Sequence, residues 1–268
     1  MTWWLLVVAV IAAVPAAAWL GQERLIFFPQ PLAGTSHLPD RVEPLDVRAA
    51  DGTKLAGFFV PASATPAPVL LFFGGNAEEI SWTLADARWP PGFARAGVNY
   101  RGYGASEGSP AEAPLAEDAK AVFDAIARRP DVDPARIVVV GRSLGTGVAA
   151  RLAAERPVRA AILVSPYDSL VEVGKAHYPW LPVRWLLKHR FDAASYARQA
   201  NVPLLAIVGT ADAVVHVPRS RALFDAWSGP KTWVAIEGGN HNDLNGDPAF
   251  WAAVERFASA AAARVSGP

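Results

Sequence analysis

Short apolar runs separated by amphipathic stretches organise most of the chain. Val69 to Phe73, Val98 to Tyr100, Ile137 to Val140, Ala161 to Val164, Leu204 to Val208 and Trp233 to Ile236 are too short for helices and rich in branched side chains. They read as strands buried on both faces. Between them, Glu78 to Ala87, Leu115 to Arg128 and Leu144 to Ala154 carry helical spacing. Leu45 to Val47 and Leu55 to Val60 flank Asp51-Gly52, which predicts a hairpin ahead of the alternating part. Strands alternating with helices give the α/β class: a mostly parallel, twisted sheet covered by helices on both faces.

Thr2 to Gly21 departs from this rhythm, with 20 residues and no ionisable side chain. A helix of that length spans the ~30 Å hydrocarbon layer of a bilayer. Trp3, Trp4 and Trp19 stand near its ends, where indole rings favour the interface, and Pro15 is tolerated in a span. The run therefore predicts an N-terminal transmembrane helix. A cleaved signal peptide, with Ala16-Ala17-Ala18 as small residues, and a buried core helix are the alternatives; the missing Lys or Arg ahead of the run argues against the signal peptide. Gln22 to Pro39, rich in proline and aromatics, reads as a linker lying over a domain. The expected organisation is an anchor over 1–21, a linker over 22–40 and one domain over 41–268. Arg24 and Arg41 follow the anchor, which places the domain on the cytoplasmic side.

Composition narrows the chemistry. Twenty-five basic and 25 acidic residues in 268 leave a formal net charge of zero, so no basic field is available for nucleic acid. With no cysteine, a nucleophile must be oxygen or nitrogen, and five histidines limit the choice of base. No H-E-x-x-H spacing or carboxylate cluster occurs, so neither a metal nor a cofactor is expected.

The Ile137 to Val140 strand runs into Gly141-Arg142-Ser143-Leu144-Gly145 and then a helix. This G-x-S-x-G between strand and helix is what a nucleophile elbow requires, with Ser143 projecting from a strained turn; an ordinary N-cap serine is the alternative. A serine hydroxyl needs a base, and the base an orienting acid. Asp212 follows the Leu204 to Val208 strand and His241 follows the Trp233 to Ile236 strand, giving Ser143, Asp212, His241 in chain order at one sheet edge. Asp168 is the competing acid. His216, four residues after Asp212, reads as the start of the next helix, and Asp243 as a support of the histidine loop. An acyl-transfer intermediate needs two N–H donors. Leu144 supplies one, and Asn76, after Gly74-Gly75, is chosen for the other.

From Leu70 to Asp243 the chain resembles the α/β-hydrolase fold, and more narrowly the membrane-anchored serine hydrolases of the ABHD and Bem46-like group. The matching pieces are GGNAEEIS (74–81), NYRGYGASEG (99–108), GRSLGTGVA (141–149), SPYDSL (165–170), GTAD (209–212) and HND (241–243), with ERLIFFPQ after the apolar N-terminus. The group usually has histidine where Gly74 stands and aspartate where Asn99 stands. The resemblance implies hydrolysis of carboxylic esters or thioesters, less often amides, and a cap over the nucleophile at about 171–196. There Tyr178, Trp180 and Trp185 are candidate substrate contacts for an acyl or aryl group, plain surface packing being the alternative. Lys175, Arg184, Lys188 and Arg190 make the cap basic, which suits an anionic headgroup or a solvated face. The expected partners are a small-molecule or lipid ester and a membrane. A silent binding scaffold of the same fold and a serine peptidase are the other functions weighed; an intact Ser, Asp, His order argues against the scaffold.

Overall fold

The computed structural model describes residues 2–263. Helix α1 (Thr2–Ile26) leads into β1 (Glu43–Arg48) and β2 (Lys54–Val60), then β3 (Ala67–Phe73), α2 (Ser81–Ala85), β4 (Ala94–Val98) and α3 (Glu112–Ala127). β5 (Val132–Arg142), α4 (Leu144–Glu155), β6 (Ala160–Val164), α5 (Leu170–His177), α6 (Val183–Leu186) and α7 (Ala193–Ala197) follow. β7 (Leu204–Gly209), α8 (Val217–Ala226), β8 (Lys231–Ile236) and α9 (Pro248–Ala262) complete the chain, with a short 3-10 turn at Leu244–Gly246. One sheet holds eight strands in the order β1-β2-β4-β3-β5-β6-β7-β8. β2 is antiparallel to β1 and β4, and every pairing from β4 to β8 is parallel.

The period of two along the central strands sorts side chains into two cores. Val69, Leu71 and Phe73 of β3 join Ile137 and Val139 of β5 and Leu163 of β6 on the face covered by α3, α4 and α7. Leu70 and Phe72, Val138 and Val140, and Ile162 point the other way, to Leu84 of α2 and to Phe250 and Val254 of α9. Both faces are apolar because both are covered.

The hairpin forms as the Asp51-Gly52 signal predicts, with Gly52 at φ +85. Two expected elements are corrected. The helix expected over Glu78 to Ala87 is only α2, because the Glu78 and Glu79 carboxylates accept the Gly75 and Ser81 amides and fold the preceding residues into a turn. The strand expected at Val98 to Tyr100 lies earlier, over Ala94–Val98. Its small residues let Gly97 pass against the Phe72 carbonyl, where a Cβ would sit 2.9 Å from the oxygen, while Asn99 and Tyr100 have turned out of the sheet. Helix α9, which buries Phe250, Ala253, Val254 and Ala258, is not among the expected elements.

The linker reading of Gln22 to Pro39 is corrected at its start, since α1 continues to Ile26. Beyond it the chain does lie on the domain: Phe27 is fully buried, its carbonyl accepts the Ala77 amide at 2.9 Å and the Tyr103 hydroxyl, and Gly104 donates to the Gln30 carbonyl. The side chains of Thr2, Pro15 and most residues between them lie outside the described residues, as do 264–268 at the end of the expected domain. Among the described residues no helix is long and apolar enough to cross a membrane, so the anchor expectation falls largely on residues that are not described.

Candidate active site

β5 ends where Ser143 must begin α4, and the turn is possible only with a strained serine and glycine neighbours. Ser143 has φ +49 and ψ −118, a region that costs a non-glycine residue about 1–3 kcal/mol. It makes no side-chain cap bond, which removes the N-cap reading. A Cβ on Gly145 would stand 2.1 Å from the Phe73 carbonyl oxygen, and one on Gly141 2.5 Å from the Gly145 oxygen. The turn therefore presses α4, β5 and β3 together more closely than any larger residue permits.

Three loops at the carboxyl ends of β5, β7 and β8 meet there. His241 Nε2 is 2.9 Å from Ser143 Oγ, and its Nδ1 is 2.8 Å from Asp212 Oδ2. All three residues are buried. Asp212 Oδ1 accepts the amides of Val214 and Val215 at 2.9 and 2.8 Å, so the carboxylate is held from both sides. Burial pushes the Asp212 pKa up, but the hydrogen bond and charge of His241, the Val215 amide and the Ser165 hydroxyl outweigh it and hold the carboxyl below its ordinary value. Asp168, the competing acid, points away: its Oδ2 pairs with Arg219 at 3.0 Å, and burial raises its pKa. His216 is the N-cap of α8, and Asp243 accepts the Asn240 amide at 2.7 Å, holding the loop before His241.

The two amides proposed for the oxyanion stand open. Among the described residues, neither the Asn76 nor the Leu144 N–H has an internal acceptor, whereas Gly75 donates to Glu78 Oε2 at 2.7 Å and Ala77 to the Phe27 carbonyl. A Cβ on Gly75 would lie 3.5 Å from that of Ser143, so this loop approaches Ser143 closely. Arg142 fastens the loop: Nη1 donates to Glu78 Oε2 at 2.9 Å and Nη2 to Asn242 Oδ1 at 2.7 Å, tying the turn that carries Asn76 to the histidine loop. Both departures from the resembled pattern fit this local chemistry. Asn99 donates from its amide to Glu79 Oε1 at 2.8 Å and accepts the Ile80 amide at 3.1 Å, which an aspartate beside Glu79 could not do. At position 74 a Cβ would already meet the Ile80 side chain at 3.1 Å.

Sequence patterning missed Ser165. It ends β6 as Ser143 ends β5, also at φ +49, and its Oγ donates to Asp212 Oδ2 at 2.8 Å. The only signal for it was its place in SPYDSL, with no chemistry attached. Sequence reasoning also missed the role of α1. Gln22, buried on its last turns, donates to the Leu186 carbonyl at 3.2 Å and accepts the Lys188 amide at 2.7 Å, fixing α1 to the cap. Together they wall an apolar cavity of about 650 Å³ that opens on Ser143 and Leu144. Leu25, Ile26 and Phe28 come from the α1 side, and Tyr178, Trp180 and Leu181 from the cap. Trp185, the third cap candidate, does not line it and is 85% exposed.

An eight-stranded sheet in this order with a nucleophile elbow, a Ser-His-Asp relay and open amides opposite defines the α/β hydrolases, and the chain belongs to that superfamily. The family model described as serine aminopeptidase, S33, matches residues 64–190. Rv2307c of Mycobacterium tuberculosis is 39% identical over 246 residues, covering 88% of each chain. The α/β hydrolase domain-containing protein WAV2 of Arabidopsis thaliana is 30% identical over 262 residues, covering 86% of this chain and 85% of that protein. Among solved structures, the Pyrococcus furiosus esterase Pf2001 superposes with a TM-score of 0.69 over 85% of this chain and 95% of its own, at 17% identity. Est1E from Butyrivibrio proteoclasticus does so at 0.65 over 82% and 99%, at 18% identity.

Proposed function

We propose that this protein is a serine hydrolase that cleaves carboxylic esters of hydrophobic acids through an acyl-enzyme. The single observation that carries the reading is the Ser143–His241–Asp212 relay opening into an apolar cavity. Ser143 Oγ attacks the ester carbonyl as its proton passes to His241 Nε2, and Asp212 stabilises the resulting imidazolium. The carbonyl oxygen becomes an oxyanion held by the Asn76 and Leu144 amides. Collapse breaks the ester C–O bond, and the leaving alcohol takes the proton from His241. Water then attacks the acyl carbon as its proton passes to His241 Nε2; collapse breaks the bond between the acyl carbon and Ser143 Oγ, which takes the proton back from His241 as the acid leaves.

An aminopeptidase reading, which the description of the matching family model brings forward, has less support. The acyl half of such a substrate is an amino acid whose α-ammonium lies beside the scissile carbonyl, and it needs a carboxylate there. The cavity next to Ser143 and Leu144 is lined by apolar and aromatic side chains with Gln22, Asn76 and His177, and, among the described residues, by no Asp or Glu. That lining suits an alkyl chain instead.

Membrane attachment through Thr2 to Gly21, with the catalytic domain on the cytoplasmic side, is proposed on the same footing. The uncharged run and the position of Arg24 and Arg41 support it. So does the position of Leu25 and Phe28, exposed at the cavity wall directly after that run.

A p-nitrophenyl ester series from acetate to decanoate tests the substrate reading. Each methylene entering the cavity contributes about 0.8 kcal/mol, so kcat/KM is expected to rise steeply with chain length and level off when the cavity is full. A preference for acetate, or faster turnover of aminoacyl anilides than of any ester, would contradict it.

A further inference from the structure

The catalytic residues divide the site into two lobes of different chemistry. Ser143 and Leu144 line the apolar cavity, and His241 does not. His241 faces a second, open recess of about 650 Å³, lined by Gln30, Glu78, Glu79, Trp82, Arg142 and Asn242 among others, and a smaller cleft of about 290 Å³ adjoins it through the shared Glu78, Trp82, Arg142 and Asn242. Asn76 and Val214 border both. In an acyl transfer the acyl group stays on the serine, while the departing oxygen must be within reach of the protonated histidine. The recess on the His241 side is therefore where the alcohol half of the ester sits.

Its lining selects among alcohols. Glu78 is neutralised by Arg142, whose Nη1 and Nη2 are both engaged, on Glu78 and on Asn242. Glu79 differs. Among the described residues its carboxylate meets only neutral donors: the Ser81 amide at 3.2 Å, the Ser81 hydroxyl, and the Asn99 side-chain amide at 2.8 Å. One negative charge is left over at this wall, which repels an anionic headgroup, and carboxylate oxygens are strong acceptors for hydroxyl groups. In the same lining, Trp82 is stacked on His37 with centroids 3.7 Å apart and planes 4° from parallel, yet stays 61% exposed. A rigid, open indole beside carboxylate and amide groups matches a hydroxylated carbon skeleton, with apolar C–H faces and polar rims.

We infer that the recess beside His241 is a leaving-group subsite for an uncharged, hydroxyl-rich alcohol, with Glu79 and Trp82 as its specificity residues. The substrate is then an acyl ester of a small polyol, with its chain in the apolar lobe and its hydroxyl groups in the polar one. This rests on the ester-hydrolase reading above.

The test holds the acyl chain constant and varies the alcohol in the full-length protein: 1-decanoylglycerol, ethyl decanoate, decanoylcholine and 1-decanoylglycerol 3-phosphate. The glycerol ester is expected to exceed the ethyl ester at least about tenfold in kcat/KM, and the phosphate ester to fall below it. In Glu79→Gln and in Trp82→Ala the glycerol-to-ethyl ratio should drop towards one. In Glu79→Gln the phosphate-to-glycerol ratio should also rise, whereas a loss of folding would lower all four esters together and leave the ratios intact. Turnover of ethyl decanoate at the same rate as the glycerol ester overturns the subsite and leaves the hydrolase standing. So does a preference for decanoylcholine or for the phosphate ester. Absence of turnover on all four, with no fluorophosphonate labelling of Ser143, overturns the hydrolase reading and the inference with it.

Discussion

Asp212 and Asp168 show how much a residue's role depends on what faces it. Both follow a sheet strand, and their sequence contexts scarcely separate them. Asp212 is enclosed by two amides, a hydroxyl and an imidazole, while Asp168 is turned to Arg219. Asp212→Asn should lower kcat by about 10³ to 10⁴, because His241 loses the group that fixes its tautomer and stabilises its cation. Ser165→Ala removes one neutral hydrogen bond to that carboxylate and should cost about tenfold. Asp168→Asn should stay within about twofold. Steady-state kinetics with one p-nitrophenyl ester ranks the three; a greater loss at Asp168 than at Asp212 would reverse the account. The three residues that the fold brings into one hydrogen-bonded chain, Ser143, Asp212 and His241, were legible from G-x-S-x-G, GTAD and HND placed after strands. Ser165 was not, because its function depends on β6 and β7 being neighbours, and pairing between distant segments leaves no local pattern.

At the scale of elements, the central strands and their two-sided burial could be read directly from apolar runs. The boundaries that failed, at α2 and β4, are those where side chains bond to the backbone or where glycine and alanine replace bulky residues. The most consequential omission is α1. From the sequence alone it is an anchor joined to the domain by a linker, yet Gln22 pins it to the segment around α6 and its last turn walls the apolar cavity. Gln22→Ala leaves two backbone groups of the cap without their partner, each worth about 0.5–1.5 kcal/mol. KM for a decanoate ester should rise several-fold while kcat/KM for acetate changes little. Trp180→Ala should act in the same direction, and Trp185→Ala should not, since only Trp180 lines the cavity. Chain-length series on the three variants check this; equal losses on acetate and decanoate would detach α1 and the cap from the acyl site.

For the whole molecule, acid sensitivity follows from the carboxylates. Asp86, Asp124, Asp131 and Asp212 all have folded pKa values below the ordinary one; arginine hydrogen bonds cause the first three, and the contacts described above hold Asp212 down against its burial. Groups with depressed pKa values contribute stability that is present above their unfolded pKa, about 4, and lost as pH falls through the folded one. The melting temperature should therefore be level near neutrality and fall as pH is taken from about 5 to 3. The surface pairs contribute little each, so most of the sensitivity of the site itself belongs to Asp212. A melting temperature that rises on acidification would contradict this assignment of charges. Intact-protein and peptide mass spectrometry after reaction with a fluorophosphonate tests most directly whether Ser143 Oγ is the reacting atom. A single stoichiometric adduct is expected on the peptide carrying Ser143, absent in Ser143→Ala and suppressed in Asp212→Asn. An adduct on another residue, or wild-type labelling in Ser143→Ala, would contradict it.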